Sequence, residues 1–139
     1  MAIFKKKSTG NVEEVPCKSE FNFLTAIEAH VRWKIRLEAY INGTSEEVLD
    51  PSVISQDNQC ALGKWIYGEG GKKYGKHPKF HEIKGTHASF HQCAGDVVRL
   101  VDNGELDIAR KMLCSGDYYK ASHRVTSNLA KLSLELDEE

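Results

Sequence analysis

The sequence predicts an all-α fold, a four-helix bundle with a short additional helix, and three observations carry the prediction. Apolar residues recur at helical spacing through the long segments of the chain. Signals that begin or end helices separate those segments, and no stretch alternates apolar and polar residues as a half-buried strand would. With 139 residues, 40% of them hydrophobic and 28% charged, the chain can build one domain around one core.

The first long helix is expected to follow a polar lead-in. Residues 1–18 carry three consecutive lysines and little apolar periodicity, which predicts a flexible N-terminal tail, and residues 19–139 then form the helical domain. Ser19 can cap the helix, and Asn42-Gly43 is a typical C-terminal signal.

A polar stretch and a short helix come next. Residues 44–59 are mostly polar and are broken at Asp50-Pro51, which predicts an irregular connection. A short helix is expected from near Cys60, capped by Asp57 or Asn58, to the glycine-rich turn at residues 68–71.

Two further helical segments complete the chain. Pro78 fits the first turn of a third helix, which is expected to persist to Asn103-Gly104. The fourth helix is predicted over residues 106–136, with an interruption around Ser115-Gly116.

Two histidines lie on the apolar stripe of the third helix. At about 100° per residue, His87 and His91 share one arc of the helix surface with a set of apolar side chains. That set is Phe80, Ile83, Ala94, Val98 and Val101. Both imidazoles are therefore expected to point into the core.

His30 holds the same position on the first helix, among Phe23, Ile27, Leu37 and Ile41. Burying an imidazole with unsatisfied nitrogens is costly, and one metal ion would satisfy three inward rings at once.

His123 lies opposite the apolar stripe of its helix, so it is predicted to face solvent. His81 lies off the stripe, His77 precedes Pro78, and both are expected to be surface or supporting residues.

Cys60 is the candidate for a fourth ligand. A position in the first turn of the short helix would favour the thiolate that zinc binds, and a His₃Cys set would complete a tetrahedral zinc site. The alternative is a buried thiol packed beside Leu62 and Trp65, and spacing alone leaves both interpretations open. Cys17, Cys93 and Cys114 are most simply inert thiols, and four cysteines are too few for a disulfide scaffold.

Charge and hydropathy exclude some classes of partner. The formal net charge of −1 does not indicate nucleic-acid binding. No apolar run approaches the ~18 residues of a spanning helix, and no apolar signal segment follows the N-terminal lysines. We therefore expect a cytoplasmic protein without membrane contact.

Three segments of the chain resemble the chemoreceptor zinc-binding domain, CZB, in order, spacing and local context. They are residues 26–33 (AIEAHVRW), 60–66 (CALGKWI) and 87–91 (HASFH), and the resemblance extends over roughly residues 20–136. It implies a four-helix bundle that binds one zinc ion through His30, Cys60, His87 and His91.

The resemblance also implies a function. Family members usually accompany a methyl-accepting signalling helix pair or a diguanylate cyclase domain, and they sense zinc or, through the cysteine, oxidants such as hypochlorous acid. The 139 residues show neither output domain. We therefore expect signalling through a partner, such as a chemoreceptor or cyclase-pathway protein in trans, or through the chain's own oligomer.

Three classes of function compete. The favoured one is a non-enzymatic regulatory module in which metal loss or thiol oxidation releases the short helix. The second is a domain in which zinc is only structural. The third, a di-iron bundle enzyme, would need several inward carboxylates, for which Glu28 and Glu38 are too few and badly placed.

A homodimer is expected from the first helix. Leu24, Val31 and Ile35 form a further apolar flank, turned away from the direction of His30 and hard to bury within one small bundle. The family resemblance also implies a dimer.

Overall fold

The computed structural model describes residues 21–137, which are helical with no strand among them. The seven helices of this range are α1 (Phe23–Asn42), α2 (Pro51–Ile54), α3 (Ala61–Ile66), α4 (Glu69–Tyr74), α5 (Pro78–Asp102), α6 (Leu106–Cys114) and α7 (Asp117–Asp137). The predicted all-α class is therefore confirmed. The proposed N-terminal tail lies outside the described residues.

Local capping sets the ends of α1. The side chain of Asn22 accepts a hydrogen bond from the backbone N–H of Thr25, so Asn22 is the N-cap; Ser19 lies outside the described residues. At the other end Gly43 has φ of 75°, a left-handed conformation that glycine adopts without strain, and its N–H bonds to carbonyls of the last turn. The predicted end at Asn42-Gly43 is confirmed.

Two short helices appear where the sequence predicted irregular chain. Pro51 begins α2, and the Asp50 side chain caps it by accepting from the N–H of Ser52. The glycine-rich segment predicted as a turn instead opens α4, with Gly70 facing the indole of Trp65. A Cβ at position 70 would lie 2.5 Å from that ring, so glycine is needed here for close packing rather than for a turn.

The second half of the chain follows the prediction. Pro78 begins α5, which ends at Asp102 directly before Asn103-Gly104. A break at Ser115-Gly116 separates α6 from α7. These boundaries rest on local signals that tertiary packing does not override.

The long helices pack around one core. Each of α1, α5, α6 and α7 contacts the other three, and α2 packs against α5. Among the most deeply buried side chains are Leu37 of α1, Phe90 of α5, Leu113 of α6 and Leu129 of α7. Within residues 21–137, no helix is both long enough and apolar enough to cross a membrane.

Candidate metal centre

Four potential ligands converge at the middle of the helical core. His30 comes from α1, Cys60 from the residue before α3, and His87 and His91 from successive turns of α5. One ligand atom from each residue lies within 4.8 Å of every other. No other group of three or more His, Cys, Asp or Glu side chains in the described range is placed to hold a metal ion.

The distances fit a small tetrahedral ion. The Sγ atom of Cys60 lies 3.3 Å from Nε2 of His87 and 3.5 Å from Nε2 of His91. Tetrahedral zinc, with Zn–N near 2.0–2.1 Å and Zn–S near 2.3 Å, would hold its ligand atoms roughly 3.3–3.6 Å apart. The sulfur and two imidazoles are thus already at the separation that one shared zinc ion would impose.

Backbone carbonyls define the tautomers of two imidazoles. Nδ1 of His30 lies 2.7 Å from the carbonyl oxygen of Ala26, and Nδ1 of His91 lies 2.9 Å from that of Ile54. A carbonyl oxygen can only accept a hydrogen bond, so both Nδ1 atoms carry the proton and donate it. Each Nε2 atom therefore keeps a lone pair for a metal.

The remaining nitrogens indicate that a metal fits. Nε2 of His30 is buried and has no hydrogen-bond partner within residues 21–137, although its tautomer makes it an acceptor. Leaving a buried polar atom unpaired is costly, and a metal ion would satisfy it. Nδ1 of His87 is also buried without such a partner, so packing and the contact of its Nε2 with the Cys60 sulfur, rather than a bond at Nδ1, orient this fully buried ring.

Cys60 differs from the prediction in its place and its ionisation. It is the N-cap of α3 rather than a residue of the first turn, and its Sγ accepts a hydrogen bond from the N–H of Gly63 at 3.4 Å. Asp57 and Asn58 do not cap α3.

Burial raises the pKa of the Cys60 thiol more than the nearby backbone N–H groups lower it. The helix end alone therefore does not produce a thiolate, and a metal must supply the stabilising charge.

The three imidazoles are neutral in the metal-free protein. Burial lowers the pKa of His30 to about 4 and the pKa of His87 to about 2, and it lowers the pKa of His91 as well. Neutral imidazole is the form that coordinates metals. The site is thus ready to bind a cation without first losing protons from its histidines.

The other histidines and cysteines lie away from this cluster. His123 and His81 are exposed as predicted, and His77 is the N-cap of α5 with its Nε2 3.4 Å from a carboxylate oxygen of Glu135. Cys93 is half-buried and Cys114 is exposed, both as free thiols. Cys17 lies outside the described residues.

Cys60 is reached from two sides. Cys60, His91 and Trp33 are among the residues that line a cavity of about 350 Å³, and Cys60, His30 and Phe21 are among those that line a second of about 280 Å³. Cys60 therefore borders a cavity on each of two sides.

The sequence match agrees with this geometry. Residues 30–98 match the family model of the chemoreceptor zinc-binding domain, CZB, a span that begins at His30 and includes Cys60, His87 and His91. The chain belongs to this family, a regulatory zinc-binding domain, and zinc is its cofactor. No curated protein and no solved structure gives a significant match to the chain.

Sequence reasoning missed the two carbonyl groups that orient His30 and His91. The bond within α1 could have been found, because Ala26 lies four residues before His30. The carbonyl of Ile54 comes from a helix that the sequence did not predict, and a backbone oxygen leaves no signature in residue type.

Proposed function

We propose that the chain is a zinc-binding regulatory module in which His30, Cys60, His87 and His91 are the four ligands of one zinc ion. The observation that carries the proposal is the convergence of these four ligand atoms within 4.8 Å in a protein of a zinc-binding family. The ligand atoms of these four residues lie close enough together to share one ion, and zinc bound to all four would have a complete tetrahedral shell of three nitrogens and one sulfur.

A filled shell favours regulation over catalysis. Hydrolytic zinc sites keep one coordination position open for water, whereas three histidines and a cysteine leave none. Glu28 and Glu38 are exposed and lie outside the cluster of potential ligands, which argues against a di-iron site there.

Metal content tests the ligand set. Wild-type protein should retain about one zinc per chain, and a His87→Ala, His91→Ala double variant should retain none after dialysis against a weak chelator. His123→Ala is the matched control, since this exposed histidine on α7 should leave the metal content unchanged. Stoichiometric zinc in the double variant would overturn the assignment.

The input signal is proposed to be zinc availability or oxidation of Cys60. Hypochlorous acid converts a thiolate to a sulfenic acid with release of chloride, and the loss of negative charge on sulfur weakens its bond to zinc. Both cavities that reach Cys60 provide a route for the oxidant. Three neutral imidazoles would then hold zinc more weakly than the complete set.

Oxidant titration tests this input. Zinc release, followed with a zinc-binding dye, should track modification of Cys60 by mass spectrometry. Hydrogen exchange should rise in α3, which has only six residues, while α5 and α7 stay protected by the core. Release that tracks Cys93 or Cys114 instead would contradict the proposal.

A purely structural zinc domain is the second candidate, favoured by the deep burial of all three histidines. Exchange kinetics separate the two functions, because a sensor must release zinc to a competing chelator while folded, whereas a structural site releases it only on unfolding.

For the sensor, we propose that the released α3 region passes the signal to a signalling partner or across a homodimer in the cytoplasm.

A further inference from the structure

We infer that α2 is a positioning element of the zinc site, and that Gly95 on α5 is the residue that allows it to act. The inference rests on the proposed ligand set, because it concerns how one ligand, His91, is held. Among the three histidine ligands, His91 alone has its Nδ1 bonded to a different helix within the described range, since Nδ1 of His30 bonds within α1 and Nδ1 of His87 has no partner there.

The orienting contact is a single backbone oxygen. Nδ1 of His91 donates to the carbonyl of Ile54, the last residue of α2, at 2.9 Å. This bond selects the tautomer that leaves Nε2 free, and Nε2 is the atom 3.5 Å from the Cys60 sulfur. If α2 moved away, the ring could rotate or exchange tautomers, and the ligand would no longer be prepared for the metal.

Gly95 determines how closely α2 approaches α5. It lies four residues after His91 and therefore on the same face of α5, where it is buried and its nearest neighbours are Pro51 and Ser55 of the α2 segment. A Cβ at position 95 would lie 2.0 Å from Oγ of Ser55, 3.2 Å from its Cβ and 3.1 Å from the carbonyl oxygen of Pro51. A methyl group at position 95 would require the Ser55 hydroxyl to rotate and the Ser55 Cβ and Pro51 carbonyl to yield by a few tenths of an ångström, and a larger, β-branched side chain would push α2 outward.

The Ser55 hydroxyl forms no hydrogen bond that would strengthen the contact between α2 and α5 at Gly95 within the described residues. Its oxygen is buried and has no partner in the part of the chain that the structure describes. Apart from the bond to His91 itself, close packing between α2 and α5 therefore holds the Ile54 carbonyl in place in the described part of the chain. Gly95 acts on zinc only through α2 and His91, since glycine has no ligand atom of its own.

A matched pair of glycines on one helix provides the test. Gly85 also lies in the interior of α5, but a Cβ there meets nothing within 4 Å. Gly95→Val should weaken zinc binding at least tenfold in a chelator competition assay, the effect typical of disturbing an outer-shell partner, while Gly85→Val leaves it unchanged. Gly95→Ala should give a smaller loss in the same direction, and it provides the answer if the valine variant does not fold.

A spectroscopic signature separates positioning from general destabilisation. In zinc-loaded wild-type protein the proton on Nδ1 of His91 should exchange slowly and appear in a ¹⁵N-correlated spectrum of the histidine rings. It should broaden or disappear in the Gly95 variants and persist in Gly85→Val. The His30 ring proton, bonded within α1, should persist in all of them.

A rescue variant checks the steric cause. Ser55→Gly removes both Ser55 atoms that the new Cβ would meet, so Gly95→Ala combined with Ser55→Gly should recover most of the lost affinity. Wild-type affinity and an unchanged His91 ring proton in both Gly95→Ala and Gly95→Val would overturn the inference. Wild-type protein that binds no zinc, or a His91→Ala variant that keeps full affinity, would instead overturn the proposed ligand set.

Discussion

At the scale of single residues, the metal-free site is electrically neutral, and this has a measurable consequence. The raised pKa of Cys60 keeps the thiol protonated at pH 7, and the lowered pKa values of His30, His87 and His91 keep the rings uncharged. Only the thiol must then lose a proton when zinc binds.

We predict that zinc binding at pH 7 releases about one proton per ion. The affinity should rise about tenfold per pH unit through the neutral range, because the thiol is on the protonated side of its pKa. Protons should compete further for His30 only as the pH falls towards its pKa of about 4. Calorimetry in buffers of different ionisation enthalpy measures the number of protons released per zinc ion.

In a Cys60→Ala variant the residual binding should release almost no proton. Release of three or four protons by the wild-type protein would mean that the histidines are charged before zinc arrives, and would contradict the neutral site.

At the scale of helices, the sequence predicts a helix boundary correctly where the signal is local, and it fails where contacts with other helices determine the structure. Helix α5 begins at Pro78 and ends directly before Asn103-Gly104, as predicted. Both signals are local: proline lacks the backbone N–H that a helix interior needs, and neither signal depends on contacts with other helices. Gly70 was interpreted as a turn residue although it lies in α4, because the Trp65 ring that requires it is a tertiary neighbour.

The same distinction holds for the site. Helical periodicity placed His30, His87 and His91 in the core, and all three are buried. It could not assign Cys60, because the helix that follows is too short to have a clear apolar face and the sulfur is brought in by a turn. A zinc ligand was one of two open interpretations of Cys60 from the residues alone, and the family resemblance favoured the ligand over the buried thiol.

The turn that carries Cys60 gives a prediction at this scale. A Cβ on Gly63 would lie 1.8 Å from the carbonyl oxygen of Asp57 and 2.9 Å from Cα of Asn58, both backbone atoms that cannot rotate away. Gly63→Ala should therefore displace the turn and weaken zinc binding by at least tenfold. Chelator competition measures the change.

Lys64→Ala, at an exposed position on the same helix, is the control and should keep wild-type affinity. Equal affinities for the two variants would show that the 57–60 turn does not set the position of the sulfur.

At the scale of the whole molecule, one surface of α1 remains without a partner in the described chain. Leu24, Val31 and Ile35 are 64%, 53% and 64% exposed, an apolar flank on the side of the helix away from His30. Contiguous exposed apolar side chains of this kind are typical of interaction sites.

We predict a homodimer that buries this flank, and we expect Val31→Glu combined with Ile35→Glu to give a monomer, because the interface cannot pair two new charges. Light scattering at high micromolar concentration measures the mass. Ile108→Glu, at a comparably exposed position on α6, should stay dimeric. A wild-type monomer at that concentration would contradict the prediction.

The function proposed for this chain requires that a single zinc ion is held by three imidazoles and the Cys60 sulfur. X-ray absorption of zinc-loaded protein tests it most directly, because sulfur and nitrogen neighbours scatter differently. We expect three nitrogens near 2.0–2.1 Å and one sulfur near 2.3 Å, with the sulfur lost in Cys60→Ser. A wild-type shell without sulfur, or one with two or more sulfurs, would contradict the claim.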